Sequence, residues 1–352
     1  MNYSRDSIDM DSQRFIHLVS ILITMVGLIL VMILCMCTYL VYPIHFNNTH
    51  VSEFAVAPKE MVQRNNVGSL WQAPDSLDIP VGPEGDLIIY GRELIAHTSV
   101  YLGPKGIVSQ TTNGMNCQNC HLKSGTKPFG NNYSTVYSTY PQVRSRSGKM
   151  VSIEERVNGC LERSLNGHRL KVDSKEMIAI KAYFKWVGRE VEAGERPDGA
   201  GIWPLPFIDR PADPVKGMVV YEELCQRCHG PSGQGQLLSE GNQWLYPPLW
   251  GEQSYNTGAG LFRVSRLAGY VKTNMPLGIT YDNPELTDEQ AWDVAAYVNS
   301  MPRPQKEFPN DWPDIDKKPF DHPFGPYSDT FPEVHHKYGP FAEIVAVSRA
   351  KK

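Results

Sequence analysis

Two pentapeptides of one design, Cys117-Gln-Asn-Cys-His121 and Cys225-Gln-Arg-Cys-His229, constrain this 352-residue chain more than any other feature. Two thiols separated by two residues can reach both vinyl groups of one haem, and the histidine that follows at once is then held over the iron. With 7 Cys and 10 His in 352 residues, chance placement gives on the order of 0.004 such pentapeptides. Two occurrences therefore mark two covalently attached haem c groups, bound through Cys117, Cys120, Cys225 and Cys228, with His121 and His229 as proximal ligands. A zinc ribbon or a thioredoxin-like thiol pair competes, but neither calls for a His after both Cys pairs, and no βαβ pattern surrounds them.

From Phe15 to Val41 no residue carries a formal charge. That exceeds the roughly 20 apolar residues needed to span a bilayer, and it reads as one transmembrane anchor over 15–42. A cleaved signal peptide would have an apolar region of about 7–15 residues ending at a small-residue site. Charge does not orient the span, because Arg5 and Arg14 are offset by Asp6, Asp9 and Asp11. Haem c is attached outside the cytoplasm, however. Residues 1–14 are therefore expected in the cytoplasm, with both haem units on the periplasmic side of the cell membrane. Cys35 and Cys37 lie in the span and read as small apolar residues, which leaves Cys160 alone between the two motifs.

A spacer at 43–66 leads to a first unit over 67–200. The Pro-rich junction 201–214 (GIWPLPFIDRPADP) cannot sustain a helix and separates it from a second unit over 215–301. The tail, 302–352, is dense in Pro and aromatic residues as far as Pro340 and is expected as an extended strap laid over a domain. Ser152 with Glu155 and Thr287 with Gln290 spell capping boxes, each opening a run of helical apolar spacing; in the second run these are Ala291, Val294, Ala295 and Val298. The repetition of helix, Cys-containing turn, long loop and further helices argues a duplicated all-α module, that is, two cytochrome c-type domains. A net charge of -4 in an ordinary globular composition gives no sign of a nucleic-acid partner.

Each iron needs a distal ligand, and the ligand sets its potential. Met275, in Lys-Thr-Asn-Met-Pro downstream of His229, is expected at the second haem; Met301 reads as core and Lys272 is a weaker alternative. At the first haem Met150, Cys160, His168 and Met177 compete. The helix opened by Ser152 sets Arg156, Cys160 and Ser164 four residues apart on one strip. A free Cys is often a core residue, but an Arg beside it suits a bound anion, which a guanidinium meets with several donors. Between His121 and Lys171 nine basic residues face three acidic ones. Such a field draws in anions, although composition alone leaves a solvated charged face open.

At these residues the chain resembles the dihaem thiosulfate dehydrogenase family. The likeness is carried by Cys120 to Gly130 (CHLKSGTKPFG), Tyr140 to Arg146 (YPQVRSR), the Asn-Gly-Cys helix, Asn-Met-Pro and the tail ending His336 to Phe341 (HKYGPF). The resemblance implies an enzyme that joins two thiosulfates into tetrathionate and passes two electrons to its haems. It implies Cys160 as distal ligand of the first haem and part of the catalytic site, with Arg146, Arg156 and Ser164 at substrate positions. It also implies an electron-exit haem ligated by His229 and Met275. Some relatives carry Lys before that Met, where this chain has Asn274. The anchor departs from soluble relatives and implies a membrane-associated acceptor, such as another cytochrome or a membrane oxidase. Three other readings stay open on sequence: a purely electron-transferring dihaem cytochrome, a sulfur-carrier-type cytochrome joining thiosulfate to a partner's Cys, and a tetrathionate reductase.

Overall fold

The computed structural model describes residues 18–32, 70–238 and 243–350. Residues 18–32 form a helix whose large apolar side chains are all exposed, and they belong to a unit separate from 66–352. Among the described residues no helix is long and apolar enough to cross a membrane. The rest of the expected 15–42 span, the 1–14 tail and the whole 43–66 spacer lie outside the described residues.

The larger unit is mainly helical and holds two apolar cores. In the first, α1 (Pro83–Ala96), α2 (Ile153–Arg163) and α3 (Lys175–Val187) surround Leu94, Met177, Ile180 and Tyr183. In the second, α4 (Pro214–Leu224), α5 (Val264–Asn274) and α6 (Asp288–Ser300) surround Tyr221, Trp292, Val294 and Ala295. Both expected capping boxes are formed, Ser152 with Glu155 and Thr287 with Gln290, each satisfying two backbone donors that the helix start would leave unpaired. The four apolar positions read on the second run are all buried.

Each core is built on one helix crossing at a glycine. A Cβ on Gly91 of α1 would lie 2.1 Å from the Ala179 carbonyl oxygen of α3, and one on Gly217 of α4 would lie 1.9 Å from the Asp293 oxygen of α6. Backbone cannot retreat as a flexible side chain does, so the crossing itself would have to open. Gly91→Ala or Gly217→Ala is expected to lower unfolding free energy by at least about 2 kcal/mol. A denaturant titration with an unchanged midpoint would contradict this close packing.

Contacts between the two halves are specific. Tyr270 of α5 donates through its hydroxyl to Asn119 O, inside the first haem motif, at 3.0 Å. Asn274 donates to Phe129 O at 3.1 Å, and Phe129 meets Trp203 edge-on. Three residues from beyond the Pro-rich junction, Trp244, Tyr255 and Ala259, belong to the first core.

Two features differ from the sequence reading. Short antiparallel ribbons occur in the otherwise helical fold; one pairs β1 (Gln142–Arg144) with β2 (Lys149–Val151) and presents Arg146 on its connecting turn. The tail is not one extended strap. Its Pro-rich part touches both halves: Trp312 N donates to Arg146 O at 2.7 Å, while Phe320 and Phe331 pack against the second core. It then ends in helices α7 (Glu333–Tyr338) and α8 (Phe341–Ala350). No proline follows Pro340, and Phe341 and Ile344, one turn apart, are buried in the second core. Apolar burial at helical spacing decides that segment.

Candidate active site

Cys117 and Cys120 bracket one turn of 3-10 helix, Cys117–Asn119, in which the Asn116 and Asn119 side chains cap each other. His121 follows. Its Nδ1 donates to Asn131 O at 2.5 Å, and its ring stacks on Tyr133 with centroids 4.4 Å apart. A carbonyl only accepts, so this bond places the proton on Nδ1 and leaves the Nε2 lone pair, with the Asn131 amide 3.5 Å from it, for a metal. Burial pushes the His121 pKa down to about 4 and keeps the ring neutral. His229 repeats the arrangement: Nδ1 donates to Pro247 O at 2.8 Å, and burial again lowers the pKa. Metal ligation requires a neutral imidazole whose other nitrogen is held, and both histidines provide it.

The described cysteines Cys117, Cys120, Cys160, Cys225 and Cys228 are in no disulfide. Among the described residues no group of three His, Cys, Asp or Glu converges as a metal-ion site, so the two Cys pairs do not join in a zinc ribbon. Cys117, Cys120 and His121 instead line one cavity of about 610 Å³ together with Leu94, Ile95, Leu161 and Phe184. Its size falls in the range of roughly 300–1,000 Å³ of cofactor sites. Two thiols, a metal-ready imidazole and apolar walls on one hollow fit a haem c.

Helix α2 forms another part of the wall. Val157, Asn158 and Leu161 are its buried residues, and Arg156, Cys160 and Ser164 line the same cavity as Leu161. Arg156 Nη1 donates to Cys160 Sγ at 3.2 Å. A charge on that sulfur is the first cause of the raised Arg156 pKa, and it is also felt by Cys117 and Cys120. Of the rival ligands, Met177 is fully buried in the core and His168 is exposed, both away from the cavity, while Met150, on β2, also lines it but is 60% exposed. At the second site Met275 caps the C-terminus of α5. Lys272 is engaged by Asp288 at 2.6 Å and Leu286 O at 2.7 Å, and Met301 packs against the second core.

Arg146 reaches the same cavity from the β1–β2 turn, with Nη1 donating to Gly258 O at 2.8 Å. Burial, and then the neighbouring Arg163, push its pKa down to about 10. Arg163 itself is clamped by the tail: Asp311 accepts two bonds of 2.8 Å from it, and Phe308 lies 3.5 Å beneath its guanidinium. Sequence reading missed Arg263, the N-cap of α5, Arg266 within it and Asp311, which also line this cavity. They stand more than a hundred residues from Cys160 and look like ordinary surface charges. The Asn131 and Pro247 carbonyls were equally invisible, since they follow their histidines at unrelated spacings and any residue supplies a carbonyl.

Residues 108–192 match the SoxA/TsdA cytochrome c domain, and 214–302 match the cytochrome c domain. A thiosulfate dehydrogenase of Stutzerimonas stutzeri is 38% identical over 67% of this chain and 74% of its own length. One of Allochromatium vinosum is 37% identical over 66% and 83%. Among solved structures, the thiosulfate dehydrogenase TsdBA of Marichromatium purpuratum superposes with a TM-score of 0.62 at 30% identity, covering 71% of this chain and 52% of that one.

Proposed function

Because the chain belongs to the thiosulfate dehydrogenase family, whose two haem c groups it carries, we propose that it oxidises two thiosulfates to tetrathionate beside Cys160 and delivers the electrons through its second haem unit to an external acceptor. The observation that carries this reading is the Arg156 to Cys160 Sγ hydrogen bond, 3.2 Å long, on the wall of the cavity that also holds Cys117, Cys120 and His121. A sulfur nucleophile is placed where both a cofactor and an anion-binding guanidinium meet it.

The overall change is 2 S2O3(2-) → S4O6(2-) + 2 e-. Each haem c, when bound, takes up and passes on one electron at a time, so two of them match the two electrons released. His121 and His229 would hold the irons through their free Nε2 atoms, with Cys160 and Met275 as the candidate second ligands. A thiolate donates strongly to iron and lowers its potential, whereas a thioether raises it, so with these ligands electrons would run from the first haem to the second. In the chemical step Cys160 bonds to the sulfane sulfur of one thiosulfate with loss of two electrons. The sulfane sulfur of the second thiosulfate then attacks that same atom, forms the central S–S bond of tetrathionate and releases the Cys160 thiolate. Arg146 and Arg156 offset the sulfonate charge that accumulates, and Ser164 offers a hydroxyl on the same wall.

The apolar helix 18–32, exposed all round, supports the further reading that 15–42 anchors the chain in the cell membrane. The haem units then lie on the periplasmic side, and a cytochrome or membrane oxidase takes the electrons. The test is one assay on fractionated cells. Thiosulfate-dependent ferricyanide reduction should sediment with membranes and yield one tetrathionate per two thiosulfates. Haem-replete protein that gives no tetrathionate would reduce the molecule to an electron conduit, and activity left wholly in the soluble fraction would remove the anchor.

A further inference from the structure

A second cavity, of about 1,020 Å³, lies beside the first and is lined largely by the tail. The two hollows share Arg146, Ser147, Lys149, Ala259, Arg263 and Asp311 in their walls. Two of these charges are already matched, since Asp311 is bound by Arg163 and Arg263 is paired with the buried Asp321. Arg146 also reaches Asp311, at 3.9 Å, whereas the lysines of the wall are held differently. Lys306 donates to Glu162 O and Gly167 O, and Lys318 donates to Phe324 O and Pro326 O. Carbonyls position an ammonium without cancelling its charge. Lys149 adds an exposed cation, and the remaining acid on the wall, Glu307, is also exposed.

Two titrations report how far this wall is buried. Burial, and then the Lys318 charge, push His322 down to about 3, while burial lowers Lys318. The hollow thus holds positive charge in a setting that Phe308, Trp312 and Phe324 make partly apolar, where a charged guest interacts more strongly than in water.

We propose that this tail-lined cavity is the subsite for the second sulfur oxyanion, which Lys149, Lys306 and Lys318 hold until its sulfane sulfur meets the one bound at Cys160. The inference rests on the thiosulfate-oxidising reading above, which requires two dianions side by side and so needs cationic charge beyond the first cavity. The step balances as already written: the second thiosulfate supplies the attacking sulfur, and its sulfonate becomes the outer end of tetrathionate. Arg146, in the shared wall, lies between the two sulfonates.

Lys149→Gln with Lys318→Gln tests it in the full, haem-loaded chain, with Lys→Arg at both positions as the charge-retaining control. The double Gln variant should raise the half-saturating thiosulfate concentration about tenfold with kcat within about twofold, and the Arg control should restore it. Calorimetric titration of the oxidised protein with tetrathionate, which involves no turnover, should show a similar loss of affinity. Unchanged half-saturation and tetrathionate binding in the Gln variant, or a loss confined to kcat, would overturn the subsite. Absence of thiosulfate oxidation in the unaltered chain would instead overturn the reading on which it rests, and the tetrathionate titration would still report on the cavity. Should the double variant fail to fold, Lys149→Gln alone, at an exposed position, carries the same expectation at a smaller factor.

Discussion

Cys160→Gly is expected to lower thiosulfate-dependent ferricyanide reduction by at least about 10³-fold while leaving two haems covalently attached. The size follows from the number of functions that meet on one atom. Cys160 Sγ is the candidate distal ligand, the candidate nucleophile and the acceptor of the Arg156 hydrogen bond, and truncation removes all three together. Folding should survive. The helix that bears Cys160 is held by its capping box and by its buried residues Ile153, Val157 and Leu161, and a glycine in a helix costs only about 1 kcal/mol. Haem attachment depends on Cys117, Cys120, Cys225 and Cys228 and should give an unchanged two haems per chain. The first haem's spectrum should change with loss of its sulfur donor, and the second should not. A variant with full turnover would show Cys160 to be an ordinary partly buried thiol.

The parts of this molecule that were legible in advance are those written within a few residues. The haem motifs depend on a spacing of two and an adjacent histidine. Ser152 and Glu155 announce the start of a helix because the capping bonds close within its first turn, and the strip of Arg156, Cys160 and Ser164 follows from helical geometry once that start is known. What stayed hidden was non-local. Arg263, Arg266 and Asp311 reach the first cavity through tertiary packing, and nothing near them in sequence sets them apart from solvent-facing charges. The tail misled for a related reason. Its many prolines describe residues up to Pro340, but Phe341 and Ile344 bury themselves in the second core, and that packing overrides the composition before them.

Arg156→Gln separates two contributions that Cys160→Gly removes together. The guanidinium donates to Cys160 Sγ and also lines the cavity in which a sulfonate would lie. Losing one charged donor aimed at developing or bound negative charge lowers turnover by roughly 10²–10³-fold, or about 3–4 kcal/mol. If the larger share comes from holding the sulfonate, half-saturation should rise steeply and Arg156→Lys should recover much of it, because an ammonium still offers a positive charge. If instead the donor mainly steadies the thiolate, kcat should fall at little cost in half-saturation. The reduction potential of the first haem should then drop, since a sulfur relieved of its hydrogen bond donates more strongly to iron. The Lys variant would not repair that shift, because its side chain is shorter and both residues ride on α2, so no movement of the helix brings Sγ closer. Potential and half-saturation therefore report on different bonds of one side chain. A glutamine variant that alters neither would remove Arg156 from the site and leave Arg146 to meet the anion alone.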